Sequence, residues 1–218
     1  MGGRIDLSHV IEDGMVTFRG LPGPQICDFW TREASAANYD DGSSFQIGQI
    51  LMVANTGTYV DSPFHRYADG KDLSELSLDL LADLDGVRVR APHEAEIAID
   101  ASAFRGLDVR GKAVLVATGW DRHWRSDTYL SDHPFLTADA ADWLVDHGAA
   151  FVGIDSHNID DTRARARPVH STLLAAGIPI GEHLTNLAAL PDSSFRFHAV
   201  PPKVKGMGTF PVRAYALI

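Results

Sequence analysis

The order of apolar and polar positions predicts short strands separated by loops. Residues 112–118 contain the continuous apolar run Val114-Leu115-Val116, which is typical of a strand buried on both faces, and residues 150–154 show the same pattern. Residues 86–90 alternate valine and arginine, as expected for a strand with one face in water. Further strands are predicted over residues 4–9, 45–53, 178–180, 195–200 and 212–218.

Helices are predicted at fewer places. The longest covers residues 138–147, with Thr137 as its N-cap and Gly148 just after its end. Residues 77–84 have the leucine spacing of a short helix, and residues 170–176 predict one or two helical turns. Residues 12–25 are rich in glycine and proline and predict a loop. The predicted elements are mainly strands with a few helices, so the sequence predicts a mixed α/β or α+β fold.

Length and composition narrow the classes of protein. The chain has 218 residues, of which 45% are hydrophobic and 22% charged, and we expect one globular domain over residues 1–218. Its net charge of −10 would repel phosphate groups, so nucleic acid is excluded as a partner. No apolar stretch approaches the roughly 18 residues of a membrane span, so no membrane partner is expected either.

The same features predict a cytoplasmic location. The N-terminal residues contain no long apolar run of the kind found in signal peptides. The single cysteine, Cys27, excludes an internal disulfide, which is compatible with a reducing compartment.

The residues best suited to chemistry lie in the segment 55–65. Asp61 and His65 are close together on a segment stiffened by Pro63, and a carboxylate beside an imidazole is half of a metal site. His170 and Glu182 are joined by a predicted helix and strand that could return them to one end of a sheet. Structural roles remain open at this point, because Asp61 also suits a turn and His65 a hydrogen bond to the backbone.

The same segment carries a resemblance to a known family. The chain resembles the cyclase family of metal-dependent amidohydrolases, which includes the bacterial kynurenine formamidases and the isatin hydrolases. The family motif is His-x-Gly-Thr-His-x-Asp-x-Pro-x-His. The corresponding residues here are Asn55-x-Gly57-Thr58-Tyr59-x-Asp61-x-Pro63-x-His65. Residues 6–9, 152–155, 182–187 and 208–214 also resemble segments of the family, so the resemblance covers nearly the whole chain.

The resemblance implies a fold and an activity. The implied fold is the swivelling β/β/α domain of the cyclase type, a mixed sheet barrel with flanking helices. The implied activity is hydrolysis of a small amide, an N-formyl amine, a lactone or a cyclic amide by a metal-activated water, and by analogy a place in tryptophan catabolism. The implied partners are a small-molecule substrate and further copies of the chain, in a homodimer or higher oligomer.

The resemblance also implies a role for each motif residue. Asp61 would bridge two metal positions, His170 would bind the second metal, Glu182 would contact both, and His65 would be the general acid and base. Asn55 and Tyr59 replace the two histidine ligands of the first metal. Asparagine offers only a weak neutral oxygen, and tyrosine is a poor ligand unless it is ionised. We therefore expect one divalent cation, zinc before manganese, or none.

Other interpretations stay open at this stage. Phe18 and Trp120 are candidates for the substrate pocket, although each could instead be a packing residue. The arginines of residues 163–167 could attract a carboxylate substrate or simply face solvent. The loss of two imidazoles allows an alternative function, a catalytically degenerate protein that binds a ligand or partner without turnover. A third reading makes Tyr59 a proton donor in altered chemistry with an optional metal.

Overall fold

The computed structural model describes residues 2–218. Its thirteen strands and three helices are short and are joined by loops and single 3₁₀ turns. The strands are β1 (Arg4–Asp6), β2 (Gln25–Trp30), β3 (Ile47–Leu51), β4 (Tyr59–Asp61), β5 (Leu84–Arg90), β6 (Ala98–Ile99), β7 (Ala113–Ala117), β8 (Phe135–Leu136), β9 (Phe151–Ile154), β10 (Ile180–Glu182), β11 (Phe195–His198), β12 (Thr209–Pro211) and β13 (Tyr215–Leu217). The helices are α1 (Arg32–Ala36), α2 (Ala138–Asp146) and α3 (Pro168–Ala175).

Nine of these strands form one curled sheet in the order β1-β13-β11-β5-β7-β9-β10-β4-β12. The four central strands β5, β7, β9 and β10 are parallel to one another, and the outer strands pair antiparallel. Parallel strands need crossover connections, and α2 and α3 lie in those between β7, β9 and β10. A hairpin of β2 and β3 and a small pair of β6 and β8 lie outside this sheet.

The sheet has an apolar core on each face. Val114 and Val116 of β7 point into the core that packs under α2 and α3. Ala113 and Leu115, on the alternate positions, point into the opposite core with Phe197. The unbroken apolar run that predicted a doubly buried strand is explained by this arrangement.

The structure differs from the sequence predictions mainly around the shortest elements. The predicted helix over residues 77–84 is wrong, because only Leu78–Leu80 forms a 3₁₀ turn before β5 begins. Helix α3 begins at Pro168, two residues before the predicted start, because proline is well tolerated in a first helical turn. Strand β10 carries Glu182 itself, whereas the predicted strand ended before that residue. Strands β2, β4, β6 and β8 were not predicted, and β12 was indicated only by the resemblance of residues 208–214 to a segment of the family.

Candidate active site

Strand β4 places the motif residues, and its pairing decides which side chains meet. It is buried and lies between β10 and β12. Tyr59 and Asp61 are two residues apart, so their side chains share one face of the sheet. The register places Tyr59 opposite Glu182 of β10 and Asp61 opposite Thr209 of β12. Side chains directly opposite on neighbouring strands are in contact range, and both pairs are hydrogen-bonded.

Thr209 connects Asp61 to His65. The Thr209 hydroxyl donates to Asp61 Oδ1. Thr209 Oγ1 also lies 2.9 Å from His65 Nδ1. A hydroxyl has one proton, so once Thr209 donates to the carboxylate it must accept from Nδ1–H of His65. That tautomer leaves Nε2 of His65 as the ring's proton acceptor. His65 ends the 3₁₀ turn Pro63–His65 and is exposed.

A second carboxylate fixes the orientation of His170. Asp160 accepts the backbone N–H of Val169 at 2.8 Å and of His170 at 3.0 Å, which caps the start of α3. Asp160 Oδ2 also lies 2.6 Å from His170 Nδ1. The ring's other nitrogen, Nε2, lies 3.7 Å from Asp61 Oδ2 and 3.6 Å from Glu182 Oε1. A histidine held at Nδ1 by a carboxylate, with Nε2 toward other donors, is the usual arrangement of a metal-ligating histidine.

The side chains fit a single divalent cation. Donor atoms of Asp61, His65 and His170 all lie within 4.8 Å of one another. Asp61 is fully buried, and its Oδ2 has no hydrogen-bond partner among residues 2–218. A buried anionic oxygen without a partner is costly, and a cation would remove that cost. Asp61 and His170 could bind a cation, and Glu182 Oε1 lies 3.6 Å from His170 Nε2. Because His65 Nδ1 is protonated, His65 could bind a cation only through Nε2.

Burial by itself would lower the pKa of His170. The negative charges of Glu182 and Asp61 and the hydrogen bond to Asp160 outweigh burial and raise the pKa to about 10. Burial raises the pKa of Glu182 to about 7, although His170 beside it acts in the opposite direction. Without a cation, the protonated imidazole therefore provides the positive charge that these carboxylates attract.

The two altered motif positions are occupied by neutral side chains. The Tyr59 hydroxyl donates to Glu182 Oε2 at 2.6 Å, and Asn55 lies beside that hydroxyl. Burial, and then the charges of Glu182 and Asp61, raise the pKa of Tyr59 well above its usual value, so the phenol stays protonated. The backbone N–H of Ile159 also donates to Glu182 Oε1, at 2.7 Å. Tyr59 is thus a hydrogen-bond donor here, and the position of a first metal lacks both imidazoles.

A cavity of about 260 Å³ opens onto this cluster. Its walls combine the reactive side chains with apolar, amide and guanidinium groups. The residues that line it are Phe18, Leu21, Asn55, Tyr59, His65, Arg66, Asn158, Arg167, His170 and Glu182. Asp61 lies beneath this surface, fully buried.

The two candidate pocket residues have different surroundings. Phe18 lines the cavity and stacks on His157, with ring centroids 4.8 Å apart. Trp120 is absent from the cavity wall. It is buried, its Nε1 donates to the carbonyl of Tyr129 at 3.1 Å, and its ring packs against His123. These are the contacts of a packing residue, one of the two roles that the sequence left open for Trp120.

Two residues of the site have no role in the sequence predictions. Asp160 follows β9 by several residues and has no motif of its own, so only the fold reveals that it holds His170. Thr209 belongs to a segment that resembles the family, but its contact with Asp61 depends on the pairing of β12 with β4. Both residues act through other side chains, and such positioning residues have no distinctive spacing.

Comparison with known proteins agrees with this description. The family model Cyclase, described as "Putative cyclase", matches residues 5–161, and the chain belongs to this family. A kynurenine formamidase of Geobacillus thermodenitrificans is 29% identical over 213 residues, covering 96% of this chain and 95% of that protein. A kynurenine formamidase of Salinibacter ruber is 28% identical over 219 residues, with the same coverage.

Solved structures are similar over the whole chain. An isatin hydrolase bound to the product analogue thioisatinate has a TM-score of 0.85 at 21% identity, covering 100% of this chain and 92% of that one. A potential metal-dependent hydrolase with cyclase activity has a TM-score of 0.80 at 25% identity, covering 100% and 98%. The predicted family and fold are confirmed, and so is the expectation of an enzyme of this family.

Within residues 2–218, no helix is both long and apolar enough to cross a membrane. The cytoplasmic location stays a prediction.

Proposed function

We propose that this protein is a metal-dependent hydrolase that cleaves a C–N bond in a small amide, N-formyl amine or cyclic amide. The observation that carries the proposal is the convergence of Asp61, His65 and His170 within 4.8 Å beside a cavity. Asp61, His170 and Glu182 would hold one divalent cation, zinc before manganese. A cation bound there would supply Lewis acidity to a substrate carbonyl.

His65 is the proposed proton carrier. Its Nε2 would take a proton from the attacking water and return it to the leaving amine. Thr209 would keep Nδ1 protonated through its hydrogen bond, so that the basic nitrogen is always Nε2.

The cavity sets the size of the substrate. A volume of about 260 Å³ is at the lower end for ligand pockets and suits a compound with one ring. The names of the relatives make N-formylkynurenine and isatin the first compounds to test.

The metal is tested by elemental analysis of protein purified without added metal. We expect about one equivalent of zinc or manganese, which Asp61→Asn should remove while preserving the shape of the side chain. Asp69→Asn is the matched control, because Asp69 is exposed on the following loop and lies outside the cavity wall. Equal metal content in wild type and Asp61→Asn would refute this metal site.

The proton carrier is tested by turnover. His65→Gln should lower kcat by about 10²-fold or more and leave the metal content unchanged. Retained turnover in His65→Gln would remove this residue as the acid and base.

A second candidate function is supported by the contact between Tyr59 and Glu182. Because this hydrogen bond uses a carboxylate oxygen that the resemblance assigns to metal binding, a degenerate protein that binds a ligand without turnover is the alternative. Metal is added to metal-free protein, and hydrolysis of N-formylkynurenine, isatin and simple lactones is measured. Absence of hydrolysis of all three would favour a protein that binds a ligand without turnover.

A further inference from the structure

The carboxamides of Asn55 and Asn158 line the cavity next to the hydrogen bond between Tyr59 and Glu182. Asn158 Nδ2 lies 3.5 Å from Glu182 Oε2, the same oxygen that accepts the Tyr59 hydroxyl at 2.6 Å. Asn55 lies beside that hydroxyl. Two neutral amides therefore adjoin one hydrogen bond at the wall of the reactive cavity.

The orientation of the Asn158 carboxamide is fixed by its neighbours. Its Oδ1 accepts the backbone N–H of Asp160 at 3.0 Å, and because a backbone N–H can only donate, the opposite end of the carboxamide is the NH₂ group. That group faces Glu182 Oε2 and has two protons. Glu182 Oε2 can take one of them, so the other N–H is left for a ligand in the cavity.

A similar argument assigns the donor end of Asn55. The Tyr59 hydroxyl gives its only proton to Glu182, so toward Asn55 it can only accept, and Asn55 must donate. One N–H of Asn55 is used in this way. The second N–H has no acceptor within residues 2–218. Each amide therefore presents one unused N–H donor beside the same cavity wall.

The segment that carries Asn55 is held by hydrogen bonds on its far side. The hydroxyl of Thr56, which is buried, donates to the carbonyl of Val53 at 2.6 Å. The backbone N–H of Gly57 donates to Thr17 Oγ1 at 2.8 Å. These contacts fix the backbone on both sides of Asn55 before a ligand arrives. A donor positioned in advance loses little energy to reorganisation when charge develops next to it.

Glu182 separates these amides from the candidate cation site. Its Oε1 accepts the backbone N–H of Ile159 at 2.7 Å and lies 3.6 Å from His170 Nε2. Its Oε2 is the oxygen next to Tyr59 and Asn158. The amide donors and the candidate metal ligands therefore lie at different oxygens of one carboxylate and open onto one cavity.

We infer that Asn55, assisted by Asn158, donates hydrogen bonds to the carbonyl oxygen of the bond that is hydrolysed. The inference rests on the proposed hydrolase function and adds two catalytic residues to it. As water adds to the carbonyl carbon, the π electron pair of C=O moves onto this oxygen. The pair returns when the C–N bond breaks and the amine leaves with the proton carried by His65. Fixed N–H donors stabilise the negative oxygen more than the neutral carbonyl, which lowers the barrier.

Asn55→Leu tests the inference by removing the donor while roughly keeping the volume of the side chain. We expect kcat to fall by about 10²-fold or more and KM to change by less than about threefold, because the donor acts mainly on the transition state. Asn55→Ser, which restores a hydroxyl donor, should regain part of the lost kcat. Met52→Leu is the matched control, since Met52 precedes Asn55 on the same segment and lies outside the cavity wall.

The metal content of all these proteins should be the same, because Asp61, His170 and Glu182 are unchanged. An unchanged kcat in Asn55→Leu, or a loss confined to KM, would overturn the inference and leave the hydrolase proposal intact.

Infrared spectroscopy makes the test independent of turnover. The probe is isatin bound to chelator-treated protein, with a ¹³C label that identifies the stretching band of its amide carbonyl. We expect this band at lower frequency in the wild type than in Asn55→Leu, because a donated hydrogen bond weakens the C=O bond. Equal frequencies in the two proteins, or isatin that does not bind, would overturn the inference. If metal-loaded wild type hydrolyses none of the test compounds while the frequency difference holds, the hydrolase proposal fails and the carbonyl-binding role of Asn55 stands.

Discussion

At the scale of single residues, Asn55 and Tyr59 change the site most, because the family motif has histidines at these two positions. The Tyr59 phenol is buried and stays protonated, so it donates to Glu182 rather than binding a cation. A neutral donor at this position stabilises the carboxylate of Glu182 without adding positive charge. The site should accordingly hold one cation where the family motif provides ligands for two.

Restoring the motif should restore the second cation. We expect the double variant Asn55→His/Tyr59→His to bind about two equivalents of zinc where the wild type binds about one, because two imidazoles complete a first ligand set. Tyr59→Phe is the control, since it removes the same hydrogen bond to Glu182 without adding a ligand. Elemental analysis after dialysis measures both. A double variant that still holds one equivalent would show that the first position is closed for reasons other than its ligands.

His170 predicts that metal binding depends on pH. Although burial opposes it, the carboxylates of Glu182, Asp160 and Asp61 raise the pKa of His170 to about 10, so the free protein carries a proton on this ring at neutral pH. A cation must displace that proton, and its affinity should increase about tenfold for each unit of pH between 7 and 8 and more steeply below pH 7, where Glu182 must also lose a proton. Competition with a chromophoric chelator at several pH values measures this slope. An affinity that is flat with pH would exclude His170 as a ligand that loses a proton on binding.

At the scale of elements, the strands with the longest apolar runs were predictable and the site strands were not. Strands β7 and β9 were predicted because the two faces of each strand pack into different apolar cores, which gives an unbroken apolar run. Strands β4 and β12 have only three residues each and carry polar side chains, so they lack a detectable period. The pairing of β4 with β10 nevertheless decides that Tyr59 contacts Glu182, and its pairing with β12 decides that Asp61 contacts Thr209. From sequence alone, the motif predicted candidate residues of the site, but contacts across strands depend on a register that no local pattern encodes.

The loop between β9 and α3 makes a prediction about stability. It contains His157, which is buried against Phe18 and near the rings of His133 and His183. Burial, and then the neighbouring His133 and Arg19, lower the pKa of His157 to about 3. The unfolded chain protonates this ring near pH 6.5, so between pH 6.5 and 3 it binds more protons than the folded chain. Stability contributed by His157 is therefore complete above pH 6.5 and is lost as the pH falls through that window.

The size of this effect can be isolated by one substitution. His157→Phe keeps an aromatic ring against Phe18 and removes the titrating group. Below pH 6.5, the free energy of unfolding of the wild type should fall more steeply than that of His157→Phe, by up to about 1.4 kcal/mol per pH unit. Chemical denaturation at pH 7.5, 6 and 5 measures the difference, and comparing the two proteins removes the contribution of groups that do not interact with His157. Parallel pH profiles would show that His157 is not held neutral by the fold.

At the scale of the whole molecule, the hairpin of β2 and β3 is the most unusual surface. Every residue of both strands is exposed. Among them, Phe29 is 70% exposed, Leu51 64% and Ile50 54%. Asp28 is the one charged residue of the eleven in these two strands, so the hairpin is apolar on a chain of net charge −10. We propose that the homodimer expected from the family resemblance forms through this hairpin, because a second copy can cover the same apolar groups.

The dimer is tested with a charge placed in the hairpin. Phe29→Glu should shift sedimentation from dimer to monomer, because burying an unpaired carboxylate costs several kcal/mol. Leu78→Glu is the matched control, since Leu78 is 63% exposed and lies outside the hairpin. A wild-type protein that sediments as a monomer over the accessible concentration range would contradict the dimer.

Dissociation of the dimer should also change substrate binding, because the loop that directly precedes the hairpin forms part of the cavity wall. The loop is closed at its base by the hydrogen bond from Gly14 N to the carbonyl of Pro24, at 2.7 Å, and it carries Phe18 and Leu21. A monomeric Phe29→Glu variant loses the contact that would fix this loop but keeps Asp61, His65 and His170, which lie on other elements. We therefore expect KM to rise severalfold while kcat changes little. Kinetics of the wild type at protein concentrations above and below its dimer dissociation constant should show the same shift in KM without any substitution. A change confined to kcat would show that dimer formation does not act through the cavity wall.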